Sequence, residues 1–172
     1  MVAAADQGAA DKAIGLAPST QPDGRNWALI VGVNGYSQAP LKYCVKDATV
    51  LAETLRSKCG YAADRVYLMT DGQKDFKDTP TRRNILKTAQ LVADLPGEKD
   101  TLLFYFSGHG VSVQDKGYLV PIDAEVAAGQ PKPDELISIA ELRKLLRGSK
   151  AARRVMVLDA CHSGGEKAGA SE

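Results

Sequence analysis

At 172 residues the chain is long enough for one hydrophobic core and too short for two ordinary domains. Its 44% apolar, 25% charged and 6% aromatic residues belong to a folded globular protein rather than a disordered, fibrous or membrane one. With 22 basic against 21 acidic side chains, the formal charge of +1 leaves no electrostatic footprint for nucleic acid or anionic lipid. No run approaches the roughly 20 apolar residues that cross a bilayer.

Residues 1–24 read as a flexible arm: few large apolar residues, no sustained period, and a Pro22-Asp23-Gly24 turn signal. They lack a basic-then-apolar leader pattern, so the expected location is cytoplasmic. Ordered structure is expected over 25–165, with 166–172 as a tail or processing point. Trp27 to Val33 is a short apolar run rich in β-branched residues, the signature of a strand buried on both faces. Val45, Ala48, Leu51, Ala52 and Leu55 then recur at helical spacing, and Cys59-Gly60 stops that helix. Arg65 to Thr70 is the next strand, followed by the polar loop Asp71 to Asp78. A helix is expected over Thr81 to Leu95, with Thr79 as its cap and Pro80 as its first residue. Thr101 to Phe106 is a third strand and Gly117 to Pro121 a short extended piece. Ser138 to Arg147 is a helix whose Ser138 and Glu141 form a capping-box pattern. Arg154 to Leu158 is a fourth strand.

This alternation predicts an α/β fold with a mostly parallel central sheet and helices on both faces. In such sheets, chemistry gathers beyond the carboxyl ends of the strands. Two peptides leave buried strands directly: Ser107-Gly108-His109-Gly110 and Asp159-Ala160-Cys161-His162-Ser163-Gly164-Gly165. Parallel strands would bring both to one edge. A thiol is a weak nucleophile at neutral pH without a base, and imidazole is its natural partner. His109 and Cys161 are therefore the candidate pair. Gly108 and Gly110 free the backbone around the base from Cβ crowding. His162 is not the base, because adjacent side chains leaving a strand point apart.

The other two cysteines, Cys44 and Cys59, form no CxxC pair, and two histidines are too few for an ordinary zinc site. Reduced thiols are the expected state, with a Cys44–Cys59 disulfide left open.

The peptides FYFSGHG and VLDACHSGG, with ALIVGVNGY and LKYCVKDA before them, closely resemble caspase-like cysteine peptidases of the metacaspase and bacterial orthocaspase branch. The offset of 52 positions from His109 to Cys161 (161 − 109) is also the kind of separation caspases show. The resemblance implies a caspase-like three-layer sandwich, synthesised as a zymogen, with large- and small-subunit segments. It implies peptide-bond hydrolysis with Cys161 as nucleophile, His109 as general acid/base, and the backbone N–H groups of Gly110 and Cys161 as the oxyanion hole. Asp159 matches the acidic residue of the primary specificity pocket, and Cys44, Asp47 and Ser107 match further pocket positions. Two carboxylates facing one pocket suit Arg or Lys before the scissile bond, because Arg can bind a carboxylate in bidentate form. The dyad requires no cofactor; calcium, needed by some metacaspases, is an open possibility for the Asp71 to Asp78 loop, although alternation with Lys favours simple solvation.

The family continues past the nucleophile into a small-subunit segment, whereas this chain stops eleven residues after Cys161 (172 − 161). That implies a processing product or a truncated form, with a C-terminal small-subunit segment as partner and an unpaired sheet edge without it. Processing at Lys150 to Arg154 is expected in preference to Arg82-Arg83. Two other readings share parts of this pattern: a non-catalytic caspase-like interaction module, and a thiol acyltransferase lacking the acidic pocket.

Overall fold

The computed structural model describes residues 24–125 and 132–160. A four-stranded parallel sheet is built from β1 (Asn26–Gly32), β2 (Val66–Thr70), β3 (Thr101–Ser107) and β7 (Arg153–Asp159), in the order β2-β1-β3-β7. Helix α1 (Cys44–Lys58) connects β1 to β2, and α2 (Arg82–Asp94) carries the chain back across β1 to β3. The direction of travel thus reverses between β1 and β3, the kind of point where open α/β sheets place their sites.

Alternation explains why β1 is apolar throughout. Trp27, Leu29 and Val31 face the main core, while Ala28 and Ile30 face a smaller core beneath Ala48, Ala52 and Leu55 of α1. The main core also takes Ile85, Ala89 and Val92 of α2 and Leu142 and Leu146 of α3 (Ile139–Arg147). The layers are therefore α1, sheet, then α2 with α3.

A second, antiparallel sheet is formed by β4 (Gly110–Val113), β5 (Lys116–Leu119) and β6 (Ile137–Ser138), in that order. Gln114 and Asp115, with φ of 50° and 60°, make the two-residue left-handed turn that suits a twisted hairpin. The sequence reading recognised only the β5 part of this sheet.

Three other expectations are corrected or resolved. The cap of α2 is Thr81, whose Oγ1 accepts from the Asn84 amide at 3.2 Å, and not Thr79. Pro80 stays outside the helix, its carbonyl taken by the Ile122 amide at 3.1 Å. Arg153 and Arg154 are not in a cleavable loop: both lie in β7, paired with Thr101 and Leu102. The Arg154 guanidinium also donates to the Arg147 and Ser149 carbonyls at 3.1 and 3.2 Å. Cys44 and Cys59 are free thiols at opposite ends of α1, separated by about 20 Å of helix and out of reach of a disulfide. The Ser138 cap is as expected, accepting from the Glu141 amide at 3.3 Å.

Candidate active site

Three strands end side by side and parallel. Gly32 of β1 pairs with Ser107 of β3, and Ser107 with Asp159 of β7. The ladder runs on past the strand ends: the Val33 amide donates to the Ser107 carbonyl at 3.0 Å, and the Gly108 amide to the Asp159 carbonyl at 3.3 Å. The two unusual strand exits, after Ser107 and after Asp159, therefore emerge at adjacent positions on one rim. Cys161 and His162 lie outside the described residues.

The loop after β1 is fixed by one carboxylate and one amide. Asp71 Oδ2 accepts from the Asn34 and Gly35 amides at 2.7 and 2.5 Å. A Cβ on Gly35 would come within 3.2 Å of that oxygen, which accounts for glycine there. The Asn34 side-chain oxygen accepts from the Val45 amide at 3.3 Å, in the first turn of α1, whose N-cap residue Tyr43 gives no side-chain bond. The loop bends through Ala39, a non-glycine residue in the left-handed region at φ 51°.

That loop holds the imidazole. His109 Nε2 lies 2.7 Å from the Ala39 carbonyl oxygen. A carbonyl only accepts, so Nε2 carries the proton and Nδ1 is the nitrogen left with a lone pair in the neutral ring. The His109 amide donates to the Tyr36 hydroxyl at 2.9 Å, and that hydroxyl donates to the Val120 carbonyl at 3.0 Å. The Val120 amide in turn donates to the His109 carbonyl at 3.0 Å. The Tyr36 and His109 rings stand 4.5 Å apart, tilted by 45°. Beside the imidazole is a cavity of about 210 Å³ lined by Tyr36, Ala39, His109, Val111 and Val120 among others.

On the α1 side of the same rim, Ser107 is buried and its hydroxyl donates to Asp159 Oδ2 at 3.3 Å. Asp159 itself is exposed, as is Asp47 in the first turn of α1, while Cys44 is half-buried. Tyr105, two residues before Ser107 on the same strand face, joins them. Burial raises its phenol above the usual range; a hydrogen bond with Ser107 opposes that shift, and the charges of Asp159, Asp47 and Cys44 add to it. All four anticipated pocket residues thus act on one phenol. Tyr105 and Tyr36 were not singled out from the sequence. The period-two spacing from Ser107 was the available signal for Tyr105; Tyr36 ends the ALIVGVNGY peptide, but nothing in that peptide points to a contact with the base.

Gly110 opens β4, opposite Leu119 of β5. Among the described residues no group of three or more His, Cys, Asp or Glu side chains could hold a metal ion. In the Asp71 to Asp78 loop, Asp71 is turned to the Asn34 and Gly35 amides after β1, and Asp75 pairs with Lys77 at 3.0 Å.

The chain is similar to known proteins in sequence and in fold. The family described as Caspase domain matches residues 25–172. Metacaspase-1B of Aspergillus fumigatus is 34% identical over 151 residues, 82% of this chain and 36% of that protein. Metacaspase-3 of Arabidopsis thaliana is 32% identical over 160 residues, covering 87% of this chain and 42% of the relative. The chain thus spans well under half the length of these relatives. Among solved structures, protein GSU0716 from Geobacter sulfurreducens superposes with a TM-score of 0.62 at 23% identity, over 82% of this chain and 52% of the other.

Proposed function

Because the chain belongs to the caspase-domain family, we propose that it forms the large-subunit part of a cysteine endopeptidase that cleaves after Arg or Lys. The observation that carries this reading is the pairing of Ser107 with Asp159, which sets the His109 exit beside the exit that leads to Cys161. Two peptide units separate Cys161 from Asp159, a reach of at most about 7 Å.

In the proposed reaction, His109 Nδ1 takes the proton of the Cys161 thiol. The sulfur attacks the scissile carbonyl carbon, and the oxyanion is met by the N–H groups of Gly110 and Cys161. The tetrahedral species collapses, breaking the C–N bond, and the imidazolium gives its proton to the leaving amine. A water then adds to the thioester, losing its proton to His109, and releases the acid while the thiol is restored. The Ala39 carbonyl supports this by steadying the imidazolium through Nε2–H. Asp159 and Asp47 provide negative charge for the guanidinium or ammonium of the residue before the scissile bond, and Ser107 orients Asp159. The reaction needs no cofactor, and calcium would act outside the chemistry.

The β7 edge and the exposed Val155 and Val157 support a C-terminal small-subunit segment as the partner on that side. No helix among the described residues is long and apolar enough to cross a membrane.

A peptidyl-arginine electrophile, supplied with and without the small-subunit segment, tests the reading. The expected adduct maps to Cys161 and disappears in His109→Ala. An adduct on Cys44 or Cys59, or faster turnover of fluorogenic Asp substrates than of Arg substrates, would overturn it.

A further inference from the structure

We propose that Tyr36 is a positioning residue for the base: its hydroxyl, held between the His109 amide and the Val120 carbonyl, sets how the imidazole stands at the β3 tip. This rests on the dyad reading above. Tyr36 is 7% exposed, and its hydroxyl both accepts from the His109 amide (2.9 Å) and donates to the Val120 carbonyl (3.0 Å). Its ring lies against the imidazole at 4.5 Å. One side chain therefore grips the base by backbone and by ring. The two hydrogen bonds of the hydroxyl are to main-chain groups and leave the imidazole nitrogens unengaged by Tyr36.

The neighbourhood is shaped around that hydroxyl. A Cβ on Gly108 would collide with it and crowd the Phe106 ring, so the glycine before the base is the residue that lets the phenol approach. Burial keeps the phenol protonated far above its usual range; the His109 amide bond opposes this, while the Cys44 and Asp71 charges reinforce it. The hydroxyl is thus a permanent donor to Val120. Tyr36 is itself steadied by its amide bond to the Asn34 carbonyl, in the segment fixed by Asp71. The Ala39 carbonyl fixes one ring nitrogen; Tyr36 fixes the height and tilt of the whole ring. Without the hydroxyl, a main-chain donor and a main-chain acceptor beside the base lose their partner.

The test compares alkylation of Cys161 by iodoacetamide, read by mass mapping, in the unaltered chain, Tyr36→Phe and His109→Ala across pH. Below about pH 7 an unassisted thiol is at most a few per cent ionised, so its rate depends on help from the base; above about pH 9.5 it ionises unaided. Tyr36→Phe is expected to slow alkylation about tenfold on the acid side and leave the alkaline rate unchanged, in line with two lost hydrogen bonds. A profile like the unaltered chain's, with His109→Ala still defective, would overturn the positioning role while leaving the dyad standing. Uniform slowing at every pH would mark a merely structural role and also overturn it. If His109→Ala itself has no effect, the dyad reading falls and takes this proposal with it. Should Tyr36→Phe not fold, amide exchange in the unaltered chain decides: slow exchange at His109 supports the bond, and exchange at the free rate refutes it.

Discussion

Asp100 ties three segments together at the rim away from the site. Its oxygens accept from the Arg25 amide at 2.7 Å, the Trp27 indole at 3.0 Å and the Gly97 amide at 2.9 Å. Burial alone would raise its pKa, but these bonds outweigh it and hold the carboxyl below its ordinary value of 3.8. A lowered folded-state value contributes stability that is complete above the unfolded value and is lost as acid titrates the folded carboxylate. Asp100→Ala should therefore cost about 3 kcal/mol near neutral pH, measured as a lower urea midpoint with unchanged slope. The difference from the unaltered chain should shrink below about pH 4. At the opposite rim the two pocket carboxylates differ in support. Asp159 accepts from the Ser107 hydroxyl, whereas Asp47 stands exposed in the first turn of α1, so Asp159 is the better oriented. Asp159→Asn should lower kcat/KM on Arg substrates by about 10- to 100-fold, the worth of one charge-assisted bond, with less effect from Asp47→Asn.

The join between β1 and α1 depends on a missing side chain. A Cβ on Gly32 would stand 2.5 Å from the Cys44 carbonyl oxygen and 2.7 Å from the Ala48 methyl. Gly32→Ala should push the start of α1 outward and destabilise the chain by about 1–3 kcal/mol. It should also weaken Arg-substrate binding, because Cys44 and Asp47 travel with that first helical turn; thermal melts and KM together check it. The sequence signals for these elements were unequal. Continuous apolar runs identified the four parallel strands, and hence the common rim; in β1, burial on both faces leaves no room for polar residues. The Ser138–Glu141 spacing located α3. Two threonines precede α2, and only tertiary partners chose between them: Pro80 is spent on Ile122, and the Arg82 amide is met by Asp123 from 41 residues away at 2.8 Å. The β4–β5 hairpin stayed hidden because Gln114-Asp115 takes a turn usually announced by Asn-Gly or Asp-Gly. The role of Tyr36 could not be read locally either, since its partners lie 73 and 84 residues downstream.

Across the whole molecule, cover is uneven. On one side α2 and α3 with the small sheet bury β1 and β3 fully, whereas α1 on the other side packs on β1, β2 and part of β3. Val155 and Val157, which share the α1 face of β7, are 44% and 42% exposed, and β7 is an edge strand among the described residues. An apolar edge of this kind is a template for pairing with another chain. The chain by itself should self-associate with rising concentration, followed by light scattering. Val155→Lys with Val157→Lys should suppress that while leaving the far-UV signal intact.

The left-handed turn at Ala39 carries a further implication. A residue with a Cβ held at φ 51° costs about 1–2 kcal/mol, and the proline that follows further disfavours this geometry. The expense is tolerated where it aims a carbonyl at a ring nitrogen. Ala39→Gly should consequently raise the melting temperature or leave it level while slowing turnover, so that robustness and speed diverge in a single substitution.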